Sequence, residues 1–157
     1  MIVRRRDELK TLVKQIRANY SGVMLTNGCF DLLHYAHIKH LRNLKSHVKK
    51  TLLVVAVNSD SSVLQYKGKA PAVEEIERAI AVDELSSVDI VYIMQDSNPE
   101  NLIADIQPEY YAKGHDWPLE SLPEKELLDA LGITYLCDTT TKGLTTTSKL
   151  KDRIISQ

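Results

Sequence analysis

The chain has 157 residues, of which 43% are hydrophobic and 26% are charged, and these proportions argue against a disordered protein. Its 20 basic and 21 acidic residues give a net charge of −1, which excludes a global basic field for nucleic acid. No apolar run approaches the roughly 20 residues of a membrane span, and the charged N-terminus is not typical of a signal peptide. We therefore expect a cytoplasmic protein with one domain over residues 1–157.

Helical and strand patterns alternate along the chain, and this alternation predicts a parallel sheet with helices on both faces. Apolar spacing predicts helices over 7–20, 34–46, 73–85, 99–106, 124–131 and 147–155. Short apolar runs predict strands over 22–26, 52–57, 89–94, 110–112 and 133–137, and the segment around Lys67 and Pro71 is predicted to be a loop. The expected fold is α/β and Rossmann-like, with a five-stranded parallel sheet.

The segment TNGCFDLLHYAH, residues 26–37, carries the main chemical signal. It leaves the carboxyl end of the first predicted strand, which is where parallel α/β sheets bind ligands. Gly28 permits a tight turn, and the helix N-terminus that follows offers free N–H groups to a phosphate. His34 and His37 share one face of the first helical turn, so both imidazoles can donate hydrogen bonds to phosphate oxygens.

Other interpretations of this segment stay open when the residues are considered alone. The histidine pair can belong to an ordinary helix, and Asp31 can be a helix N-cap. Cys29, Asp31, His34 and His37 are all metal-ligand types, so a metal site is a further alternative. Cys29 by itself is better explained as a small buried residue than as a nucleophile.

Several ordered motifs resemble those of the cytidylyltransferase-like superfamily, the nucleotidyltransferases whose mark is HxGH. The segment 26–37 is similar to its first signature, VVAVNSD at 54–60 to its second strand, the Lys67 segment to its lysine-bearing loop, and KGHDW at 113–117 to a later loop. The run GLTTTS at 143–148 resembles its second signature. Within the superfamily, the chain is most similar to the adenylyltransferase domain of bacterial ADP-heptose synthase, and next to glycerol-3-phosphate cytidylyltransferase.

The resemblance implies transfer of AMP from ATP to a sugar 1-phosphate similar to heptose 1-phosphate. The products are pyrophosphate and an ADP-sugar for lipopolysaccharide biosynthesis. One alternative is a CTP-dependent transfer to glycerol 3-phosphate or a related phospho-alcohol. An alternative of another class is a nucleotide-binding module with impaired catalysis. The resemblance also implies Mg²⁺ bound mainly through the nucleotide phosphates, a homodimer, and no nucleic-acid or membrane partner.

The resemblance assigns roles to residues that match the motifs. Those expected to be catalytic are His34, His37 and Lys67. Those expected to bind the nucleotide are Thr26, Asn27, Gly28, Cys29, Phe30, Asp31, His34, His37, Lys113, Gly114, Asp116, Trp117, Thr146, Thr147 and Ser148. Those expected to bind the acceptor substrate are Asn58, Asp60, Lys67 and Lys69, and no residue is expected to ligate a metal directly. Simpler roles are an N-cap for Thr146–Ser148, loop packing for Trp117 and a solvated surface for Lys69.

The sequence departs from the superfamily pattern at three places. Ala36 occupies the position of the motif glycine in HxGH. Cytidylyltransferases carry an arginine just before the second signature, where this chain has Thr140, Thr141 and Lys142. The heptose enzymes also lack that arginine, which favours ATP over CTP. Ala70 stands before Pro71, where the heptose enzymes usually have an arginine.

Overall fold

The computed structural model describes residues 1–156, and in this part of the chain six strands form one sheet. The strands are β1 (Ile2–Val3), β2 (Gly22–Gly28), β3 (Thr51–Asn58), β4 (Ile90–Met94), β5 (Tyr110–Gly114) and β6 (Thr134–Asp138). Every pairing is parallel, and the spatial order is β1-β4-β3-β2-β5-β6. The predicted Rossmann-like α/β fold is confirmed.

Seven α-helices surround this sheet in the described residues. They are α1 (Arg6–Ile16), α2 (Tyr35–His47), α3 (Asp60–Lys67), α4 (Glu75–Asp83), α5 (Glu100–Ile106), α6 (Lys125–Leu131) and α7 (Thr147–Ile155). Short 3₁₀ turns occupy Arg17–Asn19 and Leu119–Ser121. Between residues 1 and 156, no helix has the length and apolar character needed to cross a membrane.

Two apolar layers form the core, one on each face of the sheet. Leu9 of α1, Leu102 of α5 and Leu128 of α6 pack on one face. Leu41 of α2 and Val82 of α4 pack on the other face. All eight residues of β3 are buried, which explains why its sequence is a continuous apolar run instead of an alternating one.

Two elements of the structure differ from the sequence-based expectation. The sheet has six strands where five were predicted, because the two-residue strand β1 pairs with β4 at the sheet edge. Lys67 lies in the last turn of helix α3, and the prediction of a loop there is wrong. The Ser59 side chain caps α3, and Gly68 ends it with φ of +70°, in the left-handed region that glycine readily adopts.

The strand order creates a crevice beside β2. From β2 the chain proceeds to β3 and β4 on one side, and it then returns to add β5 and β6 on the other side. The connections that leave β2 and β5 therefore diverge over opposite faces of the sheet. A topological switch point of this kind is where open parallel sheets bind their ligands, outside the carboxyl ends of the strands.

Candidate active site

A cleft of about 640 Å³ opens at this switch point. Most residues that the sequence predicts for the site line it. They are Asn27, Gly28, Cys29, Phe30, Asp31, His34, His37, Asn58, Lys67, Lys69, Lys113, Gly114, Asp116, Trp117, Thr146, Thr147 and Ser148. Ala36, at the position of the motif glycine, also faces the cleft.

Two predicted site residues lie behind the lining. Thr26 is buried within β2 and is paired with neighbouring strands on both sides. The Asp60 carboxylate accepts a hydrogen bond from Arg78 at 2.7 Å and another from the backbone amide of Glu75. In this structure both residues support the walls of the cleft.

The turn between β2 and α2 holds a strained backbone. Phe30 and Leu32 have φ values of 51° and 48°, a left-handed conformation that costs a non-glycine residue on the order of 1 kcal/mol or more. Gly28 has a packing role here, because a Cβ atom at this position would lie 3.2 Å from the Phe30 ring. A backbone held this way keeps its N–H groups in a fixed arrangement at the start of α2.

The Asp31 side chain connects the β2–α2 turn to two other segments of the chain. Its carboxylate accepts hydrogen bonds from the amides of Ala72 and Val73 and pairs with Lys151 at 2.6 Å. Burial acts to raise the pKa of Asp31, but the hydrogen bonds from Lys151, Ala72 and Val73 together lower it. The N-cap of α2 is His34, so the interpretation of Asp31 as the N-cap is wrong.

Arg78 holds the same turn from the side of α4. Its guanidinium is almost fully buried, and it donates to the carbonyl oxygens of Cys29 and Val73 and to the carboxylate of Asp60. These contacts connect the β2–α2 turn to the start of α3 and to the segment before α4. The sequence gives no sign of this role for Arg78, because an arginine on a helix is usually solvated.

His34 and His37 stack at the start of α2, with ring centroids 4.0 Å apart. Burial lowers the pKa of both residues. The pKa of His37 falls to about 4, with the nearby charges of His34 and His40 adding to the effect of burial. Both imidazoles are therefore neutral at pH 7.

Their hydrogen bonding indicates the tautomer. The Nδ1 atom of each ring is buried and has no hydrogen-bond partner, whereas Nε2 of His34 lies 3.4 Å from the Thr147 hydroxyl. We assign the proton to Nε2 in both rings, because a buried N–H without an acceptor would be costly. This tautomer gives each ring one donor for a ligand oxygen.

The hydroxyl cluster at the start of α7 closes the cleft above the histidines. The Thr146 hydroxyl accepts from the amide of Lys149 and so acts as the N-cap. The Thr147 hydroxyl donates to the carbonyl oxygen of Asp31 at 2.8 Å. Ser148 is exposed at the cleft, where its hydroxyl and the first amides of α7 are positioned for an anion.

On the β5 side, Lys113 and Trp117 form the wall of the cleft. The Lys113 ammonium donates to Asn27 Oδ1 at 3.0 Å and lies 5.1 Å from the centre of the Trp117 ring. Burial lowers the pKa of Lys113 to about 8. Trp117 is 42% exposed, which leaves part of its ring available to a planar ligand.

On the β3 side, polar side chains line the cleft. Asn58 stands at the carboxyl end of β3, and Lys67 and Lys69 lie at the end of α3 and just after it. Asn58 is buried, and its Oδ1 atom has no hydrogen-bond partner. Lys67 and Lys69 are exposed and place two ammonium groups beside the same part of the cleft. This side can therefore hold a second anion together with a hydroxyl donor.

The geometry also bears on the alternatives for Cys29. Burial raises the pKa of the Cys29 thiol, which disfavours the thiolate that a nucleophile requires. Among residues 1–156, no three His, Cys, Asp or Glu side chains form a group that could hold a metal ion. Cleft residues with no role predicted from sequence include His40, Tyr66, Asn98, Glu124, Thr141 and Lys151.

Known proteins with similar sequences share this motif-bearing region. Residues 25–141 match the family model described as cytidylyltransferase-like. The "Bifunctional protein HldE" of Pelobacter propionicus is 39% identical over 131 residues, which is 83% of this chain and 26% of that protein. The "Bifunctional protein HldE" of Geobacter metallireducens is 35% identical over 95% of this chain and 30% of that protein. The chain thus spans less than a third of these relatives.

A solved structure shows the same architecture. It is described as the lipopolysaccharide core biosynthesis protein from Thermoplasma volcanium GSS1. It aligns with a TM-score of 0.60 and 28% sequence identity, over 74% of this chain and 93% of that one.

The histidine environment leads to a prediction about protonation. His37 should titrate with a midpoint near 4, because burial disfavours its charged form. NMR of imidazole-labelled protein between pH 4 and pH 8 should show a neutral His37 above pH 6. A midpoint near 6.5, the value of an unperturbed histidine, would contradict this description of the site.

Proposed function

The chain belongs to the cytidylyltransferase-like family of nucleotidyltransferases, and on that premise we propose that it transfers AMP from ATP to a sugar 1-phosphate. An acceptor similar to heptose 1-phosphate would give an ADP-sugar and pyrophosphate. The observation that carries this proposal is the convergence of His34, His37 and the N-termini of α2 and α7 on one cleft.

The reaction needs positioning and charge stabilisation more than it needs a strong base. A phosphate oxygen of the acceptor attacks the α-phosphorus, forming a new P–O bond. The bond between the α-phosphorus and its bridging oxygen breaks, and pyrophosphate leaves with that electron pair. Because the attacking oxygen is already anionic, no residue must remove its proton, and fixed donors around the phosphates carry the catalysis.

The two sides of the cleft suit the two substrates. His34, His37, Thr147 and Ser148 would contact the triphosphate, with Nε2–H of each imidazole donating to phosphate oxygens. The nucleoside would extend towards Trp117 on the β5 side. On the β3 side, Lys67 and Lys69 would hold the acceptor phosphate, and the unpaired Oδ1 of Asn58 would accept from an acceptor hydroxyl.

We propose Mg²⁺ as the partner of the triphosphate. The Asp31 carboxylate is already occupied by Lys151 and by the amides of Ala72 and Val73. The donor set around the cleft therefore fits an ion held by phosphate oxygens and water, which is the usual mode for Mg²⁺ in nucleotide sites. When bound, the ion would neutralise charge on the phosphates that leave.

Two observations favour ATP and a sugar acceptor. One is the similarity to the HldE proteins and to the solved structure, and the other is a departure from the cytidylyltransferase pattern before the second signature. The HldE relatives match this chain over most of its length. The structural neighbour is described as acting in lipopolysaccharide core biosynthesis, which supports a sugar substrate. The segment before the second signature, Thr140 to Lys142, lacks the arginine that cytidylyltransferases carry there, and this difference disfavours CTP.

The direct test is pyrophosphate release with Mg²⁺, using ATP and CTP, each with a panel of sugar 1-phosphates and with glycerol 3-phosphate. We expect turnover with ATP and one sugar 1-phosphate. Turnover with CTP alone would contradict this proposal and would identify the protein as a cytidylyltransferase. Binding of ATP without turnover on any acceptor would favour a nucleotide-binding module.

The histidines should be essential in that assay. His34→Ala and His37→Ala should each lower kcat by about 100-fold or more, as is typical when one preorganised donor is lost. His47→Ala is the matched control, since His47 is exposed at the far end of the same helix. Near wild-type rates for both cleft variants would rule out the proposed mechanism.

Ala36 provides a test in the opposite direction. Because a glycine at this position brings the backbone closer to the nucleotide in related enzymes, Ala36→Gly should keep or raise turnover. Steady-state kinetics with ATP would show an unchanged or lower KM. A marked loss of kcat/KM would mean that the role of this turn has been misassigned.

A further inference from the structure

Glu124 presents an unpaired carboxylate at the β5 end of the cleft. The residue is only 5% exposed, it lines the cleft, and its Oε2 atom is buried without a hydrogen-bond partner. It occupies the N-cap position of α6, but its side chain makes no capping hydrogen bond. A buried carboxyl oxygen without a donor is costly, and Oε2 is therefore a candidate acceptor for a donor on a ligand in the cleft.

Lys113 stands near this carboxylate without neutralising it. Its ammonium donates to the side-chain and backbone oxygens of Asn27, at 3.0 and 3.3 Å. The dominant effect of burial lowers the pKa of Lys113, and the charge of Glu124 acts in the opposite direction, as expected for neighbours. Within residues 1–156, however, no ion pair joins them. The same end of the cleft thus holds an ammonium donor and a separate carboxylate acceptor.

The phenol hydroxyls of the two nearby tyrosines donate to acceptors other than Glu124. Tyr111 donates to Asn27 Oδ1 at 2.7 Å, and Tyr135 donates to the carbonyl oxygen of Trp117 at 2.5 Å. Neither phenol donates a hydrogen bond to Glu124. The Trp117 ring, which is partly exposed, lies over the Lys113 ammonium and gives this corner a flat apolar surface beside its two charges. These features suit a planar heterocycle with both a donor and an acceptor on one edge.

The position of this corner identifies the part of the ligand that reaches it. Phosphate groups bound at the N-termini of α2 and α7, as the proposed function requires, would place the nucleoside across the ends of β2 and β5, towards Trp117. Adenine and cytosine each carry an exocyclic amino group beside an unprotonated ring nitrogen. Hypoxanthine and uracil carry a carbonyl oxygen beside a ring N–H, which reverses the donor and the acceptor.

Resting on the proposed function, we propose that Glu124 is a specificity-determining residue that accepts a hydrogen bond from the exocyclic amino group of the nucleobase. Lys113 donates to the adjacent ring nitrogen. The site therefore selects amino-bearing bases, because an oxo base would place its carbonyl oxygen against the Glu124 carboxylate. Rejection by unpaired polar groups is stronger than rejection by shape alone.

The test compares ATP with ITP, which differ by the amino and oxo groups at position 6 of the purine. For the wild-type protein, kcat/KM should favour ATP by about 100-fold or more. Glu124→Gln should lower this ratio by at least about 10-fold, because the glutamine amide can donate to the oxo group. Glu120→Gln, in the preceding exposed turn, is the matched control and should keep the wild-type ratio. An unchanged ratio in Glu124→Gln would overturn the assignment.

Calorimetric dissociation constants for ATP and ITP separate this proposal from the reaction itself. If ATP binds but no acceptor is turned over, the proposed reaction fails, and the ratio of the two dissociation constants decides the role of Glu124. If the wild-type protein bound ATP and ITP with equal dissociation constants, that role would be overturned, even if Glu124→Gln failed to fold. Absence of binding by either nucleotide would overturn both proposals.

Discussion

The Asp31 carboxylate joins parts of the chain that lie far apart in sequence. It accepts from the amides of Ala72 and Val73 and from the Lys151 ammonium, and the Asp31 carbonyl oxygen accepts from Thr147. A carboxylate removed from water is stable only when its hydrogen bonds are satisfied. The β2–α2 turn, the segment before α4 and the start of α7 therefore depend on one another, and the cleft exists where they meet.

The cleft provides donors for a polyanion without concentrating charge where the phosphates would lie. Burial keeps His34 and His37 neutral at pH 7, so the two stacked rings do not repel each other in the free protein. The flexible ammonium groups of Lys67 and Lys69 stand at the exposed rim. Donors fixed before the ligand arrives need no reorganisation during the reaction, which is the condition for effective electrostatic catalysis.

Features encoded locally were predictable from the sequence, and features that depend on distant contacts were not. The apolar run of β3 and the turn from Asn27 to His37 follow from neighbouring residues, so both were identified. β1 has two residues and gains its strand character only by pairing with β4. Arg78 and Glu124 look like solvated side chains until the fold buries them. Asp31 and Thr147 are 116 positions apart, a separation that no local pattern reveals.

The attachment of α7 also bears on how a product leaves. None of its residues is buried, Ile154 and Ile155 are exposed, and Thr147 and Lys151 connect it to Asp31. A helix held by a few polar contacts detaches by local opening at a small fraction of the free energy of global unfolding, while the sheet stays intact. Its amides should therefore exchange with solvent well before those of β3. Such an opening would withdraw Thr147 and Ser148 together from His34, and a bound anion could then leave without movement of the core.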